Sequence, residues 1–305
     1  MRPAFSIIFL TTLTGAGQGL FLLLYATELL HAAVTPGFYI GGSIIVLVLC
    51  ALGLLASFFH LGHPSRIWRA MTMWRTSWLS REIIVLMGFL GMVLLYLLAH
   101  WNGIAATRLL GGMASALALG LFVCTGMVYV AIKVMKEWAS PLTVANFLLM
   151  GCASGATLAS AYALFGAPVL MPFYVQVALA TTLLALLGRS ASLIRNARLK
   201  PTTTLQSAIG IRHPHIVQKA QGAMGGSFNT REFFHGKSAA FMRAIKPGFL
   251  VLAFALPLAL LAAGLSQQGL LPLAFLLQYT GLLAERWFFF AEANHPQNLY
   301  YQVIS

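Results

Sequence analysis

The chain has 305 residues, of which 59% are hydrophobic and 8% charged, with a formal net charge of +13. So few charges exclude a soluble domain, and a mean hydropathy of +0.84 places the chain among integral membrane proteins. The apolar runs are about 20 residues long, the length of a spanning helix, and no β-barrel alternation is visible.

Eight runs qualify, at about 5–30, 39–60, 82–100, 107–132, 141–165, 169–188, 247–266 and 271–292. The expectation is an all-α integral membrane fold of eight transmembrane helices in two four-helix bundles, with residues 1–305 forming one membrane-anchor domain. The first two runs contain glycines and hydroxyls, as is usual where membrane helices pack closely. No cleavable leader is expected, since the first run follows a single Arg2 and lacks a small-residue cleavage site.

The second run ends in Ser57-Phe-Phe-His60-Leu-Gly62-His63-Pro64-Ser65-Arg66, followed by Trp68, Arg69, Trp74, Arg75, Trp78, Ser80, Arg81 and Glu82. An apolar helix thus changes within three residues into a loop rich in imidazole, guanidinium and indole, which suits an amphiphilic redox ligand, a quinone first. His60 either satisfies the last helix carbonyls, with Gly62 as the C′ residue and Pro64 ending the helix, or hydrogen-bonds a quinone carbonyl and exchanges its proton. His63 has the same options further out. Glu82 either sits in a first helical turn behind Ser80 as N-cap, favoured by the helix dipole, or accepts a proton beside a quinol hydroxyl. All six acidic residues are glutamates.

After the short Lys133/Lys136 connection and two further runs comes the longest connection, residues 189–246. It holds ten basic residues against one acid, Glu232, and keeps apolar anchors, unlike a disordered linker. A connection this long is usually functional. Arg195, Arg198, Lys200, Arg212 and Arg231 are its candidates for docking an acidic partner face or lipid. In the last run Glu285-Arg286 interrupts an apolar helix ahead of Trp287, Phe288, Phe289 and Phe290. An ionisable pair at membrane depth is either a functional site or a neutralised packing lock.

Numbering the faces alternately puts 17 of the 19 basic residues on one of them, so the positive-inside rule makes both termini and the 189–246 loop cytoplasmic. Topology and anionic lipid account for much of the +13 charge without nucleic acid. Cys50, Cys124 and Cys152 lie in apolar runs without metal-ligand spacing, so no iron–sulfur cluster or other metal site is expected in this chain. Haem b needs axial ligands facing each other inside a bundle; His31 and His100, near helix ends, are the pair to consider if one binds. A transporter is disfavoured, because no pair of broken helices carries ionisable residues at the bilayer centre.

The segment Ala56-Ser-Phe-Phe-His-Leu-Gly-His-Pro-Ser-Arg-Ile-Trp, continued by Ser77-Trp-Leu-Ser-Arg-Glu-Ile83, resembles the hallmark of the dimethyl sulfoxide reductase anchor subunit family. Its pattern is Ala-Ser-x-x-His-Leu-Gly-x-Pro, then an Arg, then Leu-Ser-x-Glu before the third helix. The resemblance implies an eight-helix anchor that holds a molybdopterin catalytic subunit and a four-cluster iron–sulfur subunit. The anchor exchanges electrons with the quinone pool, ubiquinone or menaquinone, generally without haem. The family's quinone-site histidine corresponds to His60 and its motif glutamate to Glu82. The stretches Leu205-Gln-Ser-Ala-Ile-Gly-Ile-Arg and Gly225–Gly236 look more like the membrane subunit of cytoplasmic sulfite dehydrogenase complexes of sulfur-oxidising bacteria. That branch oxidises sulfite and reduces quinone, the reverse of the reductases. The expected quinone site at the cytoplasmic edge therefore comprises His60, His63, Arg66, Trp78, Arg81, Glu82 and Arg286. A passive anchor is the alternative.

Overall fold

The computed structural model describes residues 5–30, 34–59, 64–200, 204–217 and 237–293, without the side chains of residues 64–67, 208 and 239. Among these the fold is all-helical: α1 (Phe5–Leu30), α2 (Pro36–Phe58), a 3-10 segment (Pro64–Met71), α3 (Trp78–Trp101), α4 (Thr107–Val130), α5 (Pro141–Gly166), α6 (Met171–Ala197), a short α7 (Leu205–Ile209), α8 (Ala239–Leu250), α9 (Leu256–Gly264) and α10 (Leu270–Glu292). Among the described residues, seven spans are long and apolar enough to cross a membrane; α8 and α9 together supply the seventh, Ala240–Gly264. The eighth expected run is α10, a continuous helix of 23 residues whose Gln278, Glu285 and Arg286 leave it outside that set.

The expected runs fall on these helices, with two sizeable differences, one at each end of the 189–246 connection. α6 does not stop at residue 188 but continues to Ala197. Thr182, Ala185, Arg189, Ser192 and Leu193 are all buried there, at helical spacing, so one inward stripe carries the helix past its apolar stretch. Arg189 and Arg195, expected in a loop, are therefore helical, and the connection begins at Arg198. It closes with α8, whose start is capped by Ser238 accepting from the Phe241 amide at 3.2 Å.

Packing contacts run around two rings. In one, α1, α2, α3 and α4 follow each other and α4 returns to α1; in the other, α5, α6, α9 and α10 close in the same way. α1 and α5 join the rings through glycines. A Cβ on Gly155 would fall on the backbone of Gly19, and one on Gly19 would fall on the carbonyl of Gly151, so only hydrogen fits at these positions. A π-helical turn, Val251–Ala255, separates α8 from α9. Pro257 has no N–H to return to the Ala253 carbonyl four residues back. That carbonyl accepts instead from Gln278 Nε2 on α10 at 3.4 Å, and the same amide donates to Thr182 Oγ1 on α6 at 3.0 Å. One buried amide thereby ties three helices of the second ring together.

Candidate functional site

The N-termini of α1, α3 and α5 and the C-termini of α4, α6 and α10 share one end of the bundle, the end that bears the basic connections. Here the segment after α2 forms a 3-10 turn and a series of tight turns, with Trp68 and Trp74 more than half exposed. Arg69 and Arg75 lie over those two rings at 5.5 and 5.4 Å. Such amphipathic rings suit the headgroup level of a bilayer. Arg81 Nε donates to the Trp74 carbonyl at 2.8 Å and its Nη2 to that of Arg75 at 2.7 Å. Its guanidinium stacks on Trp78 at 4.3 Å. Arg81 and Trp78 thus hold the loop against the start of α3.

α3 begins earlier than expected because Ser77, not Ser80, is its N-cap; the Ser77 hydroxyl accepts from the Ser80 amide at 3.4 Å. Glu82 consequently lies beyond the first turn, where the helix dipole gives it little. Its partner is Thr125 on α4, whose hydroxyl donates to Glu82 Oε1 at 2.6 Å. Thr125 in turn lines a cavity at the meeting of α1, α4, α5 and α10, with Thr11, Thr14, Gln18, Ser154 and Arg286 also on its wall. The cavity, about 20 Å³, has room for a single buried water and not for a quinone ring. Thr125, which holds Glu82, and Arg286 therefore line one water-sized space.

Glu285 and Arg286 belong to a larger cluster. Arg189 Nε lies 2.7 Å from Glu285 Oε1, Arg286 Nε 3.2 Å from Glu285 Oε2, and Arg189 Nη2 3.4 Å from Glu292 Oε2. Exposures of 0% for Glu285, 2% for Arg189 and 4% for Arg286 put the two arginines and the glutamate between them wholly inside the protein. Two guanidinium groups and two carboxylates cancel, which is what makes four charges tolerable at this depth. Arg286 also lies over Phe147 at 3.9 Å and Phe289 at 5.4 Å, rings that pack with Tyr129, Trp138 and Phe290. A second small void adjoins the cluster, bounded by Glu137, Asn146, Arg189, Ser192, Glu285 and Arg286 among others. Asn146 and Ser192 bridge α5 and α6 there at 2.7 Å.

His60, His63, Arg231 and His31 lie outside the described residues, as does the side chain of Arg66. His100 sits at the opposite end of the bundle, 3.7 Å from Glu28, which accepts from the Tyr96 hydroxyl at 2.9 Å. Tyr39 stacks on the imidazole at 4.7 Å. Of the docking candidates, Arg195 is engaged within the chain, donating to the carbonyls of Lys136 at 2.9 Å and Glu137 at 3.3 Å. Arg198, Lys200 and Arg212 are exposed. A roomier, apolar cleft of about 270 Å³ between α1, α8 and α10, with Phe9, Phe241 and Trp287 on its wall, contains none of the expected quinone-site residues.

Sequence reasoning missed Arg189, Glu28, Glu292 and Thr125. Arg189 was detectable, since the inward stripe of α6 runs through it. Thr125 was not: a single hydroxyl in an apolar helix usually bonds its own backbone, as Thr181 does here.

A helical membrane protein with buried charged groups gathered at one end has the form of a membrane anchor. The family model for the DMSO reductase anchor subunit (DmsC) matches residues 1–301, and the chain belongs to that family. It is also 50% identical, over 325 aligned residues covering 100% of both chains, to the C subunit of sulfite dehydrogenase from Allochromatium vinosum.

Proposed function

We propose that this chain is the quinone-reactive anchor of a molybdopterin and iron–sulfur oxidoreductase, passing electrons between the partner's clusters and the quinone pool, with sulfite oxidation driving quinone reduction. The observation that carries this reading is a carboxylate at the basic end, Glu82, tied through Thr125 to a polar, water-sized cavity inside the membrane domain. The full-length identity to the C subunit of a sulfite dehydrogenase supports the choice of sulfite. A bound quinone supplies the two-electron, two-proton chemistry. Glu82 and His60 exchange the protons, and His63 and Arg66 orient the ring. Trp78 and Arg81 fix the loop, and Arg286 stabilises developing negative charge across the cavity. The ring docks at the bilayer edge against the 60–82 segment.

In this reading α10 is the eighth span. At 1.5 Å per residue its 23 residues reach about 34 Å, enough for the hydrocarbon core. Its Gln278, Glu285 and Arg286 are buried against the bundle, while Leu273 and Leu276 face outward. Eight spans put both termini and the 198–238 connection in the cytoplasm of a bacterial inner membrane. Arg198, Lys200, Arg212 and Arg231 there dock the iron–sulfur subunit.

The test is the purified complex assayed for sulfite:quinone activity with wild-type and Glu82→Gln anchors. Gln keeps the shape and loses the proton, so quinone turnover should fall by about 100-fold, while sulfite oxidation by a soluble artificial acceptor persists. Equal quinone kinetics in an assembled variant would remove Glu82 from the mechanism. The family match favours a second reading, a quinol-oxidising anchor of a sulfoxide or N-oxide reductase. Quinol-driven reduction of dimethyl sulfoxide, without sulfite oxidation, would select it.

A further inference from the structure

We propose that the apolar cleft between α1, α8 and α10 binds an anionic phospholipid of the leaflet at the basic end, with one acyl chain in the cleft and its phosphate on Lys237. α1 and α8 are each packed against α10, and the cleft of about 270 Å³ is the gap left between them. It shares no lining residue with the water-sized cavity beside Thr125. A lipid here would therefore bridge the first helix of the chain and the helix that closes the 198–238 connection, without entering the polar interior.

The wall suits a hydrocarbon chain. Ile8 and Trp287, 1% and 9% exposed, form a fixed floor, and the Phe241 ring stands edge-on to Trp287 at 5.3 Å. Phe9 and Phe241 form an open rim, 36% and 39% exposed. Both rim residues lie within membrane spans, so the rim opens onto lipid. From Ser238 to Ile245 the chain descends about 10 Å. That is two thirds of one leaflet's share of a hydrocarbon core about 30 Å thick. The wall offers no carboxylate, hydroxyl or imidazole with which a quinone could exchange protons.

The mouth suits a phosphate. Phe5 and Ala240 are the first residues of their spans, so Lys237 stands just outside the hydrocarbon, at headgroup level. It is exposed, and it is the one charged residue on the cleft's wall. Its ammonium lies 5.5 Å from the centre of the Phe241 ring, which ties the charge to the rim of the cleft. Among the described residues no carboxylate forms an ion pair with it. The positive end of α8 begins beside it, behind the Ser238 cap. An anionic headgroup thus meets a cation that the fold leaves uncompensated, directly above a groove of acyl-chain depth.

The intact complex in nanodiscs would be photolabelled with phosphatidylglycerol carrying a diazirine on one acyl chain, and the labelled peptides identified by mass spectrometry. Label is expected on segments 5–9 and 237–245, removed by unlabelled phosphatidylglycerol and not by the same amount of phosphatidylcholine. Lys237→Gln changes an exposed side chain ahead of the helix, so the fold should stand. It should raise the phosphatidylglycerol needed for half-maximal labelling about five-fold. Label on Val48 and Leu52, exposed on α2, should stay as it was. Equal removal by phosphatidylcholine would mean an annular lipid without headgroup recognition and overturns the proposal. An unchanged requirement in Lys237→Gln, or absence of label from the two segments, overturns it as well. Displacement of the label by a short-chain ubiquinone would make the cleft a quinone site instead.

Discussion

At the scale of single residues, the buried charges show how position decides what a side chain does. Arg286 and Glu285 were legible as a pair, because two adjacent ionisable residues in an apolar run cost too much to stand there unpartnered. Their third partner carries a weaker signal: Arg189 stands where hydropathy falls away, and only its helical spacing from Thr182 and Ala185 sets it apart from the basic residues after it. Burial within α6 turns it from a surface charge into the counterion of Glu285. Removing one member of such a pair leaves an uncompensated charge inside the protein. Arg189→Leu should therefore destabilise the domain by about 3–5 kcal/mol, seen as a lower thermal midpoint in detergent. Arg189→Leu combined with Glu292→Leu, which leaves the Glu285–Arg286 pair in place, should recover a large part of that loss. If the double variant is no better than the single one, the two side chains are not coupled.

At the scale of elements, the helices follow from apolar length, but their seating follows from small residues whose role appears only in the pair. Gly15, Gly19, Gly151 and Gly155 are ordinary glycines in the sequence, and nothing in one helix alone says which neighbour it will touch. In the fold they bring α1 and α5 backbone to backbone. Gly155→Val should separate these helices and sharply reduce the folded yield, whereas Gly37→Ala, with no atom near its Cβ, should have little effect. Detergent-solubilised monomer recovered by size exclusion would measure both. Caps show the same limit: Ser77 and Ser80 are equally good candidates by type, and only backbone geometry selects Ser77. The stretch from residue 60 to 67 carried the clearest motif in the chain, yet the helix packing described above rests on quieter positions elsewhere.

At the scale of the whole molecule, charge asymmetry underlies both the proposed orientation and the proposed partner docking. The exposed Arg198, Lys200 and Arg212 stand at the end that also carries Glu82, while Arg195 is occupied by the α4–α5 connection. Reversing the three exposed charges should release the soluble subunits, the more readily as salt rises, because exposed contacts are screened. Co-purification across a salt series would measure it, and subunits that stay bound at all salt concentrations would exclude this surface. Reversing Arg195 should instead loosen the anchor itself. The polar stripe on α1 also bears on how the chain is made. α1 leaves the ribosome first, yet Thr11, Thr14 and Gln18 face a cavity completed by Ser154 of α5 and Arg286 of α10. Arg286 is synthesised about 270 residues after Gln18, a delay on the order of tens of seconds at ordinary elongation rates. Throughout that interval the first span sits in lipid with its hydroxyls and amide lacking their final companions. Nascent chains halted before α10 should accordingly be removed by membrane proteases much faster than completed ones, as pulse-chase labelling would record.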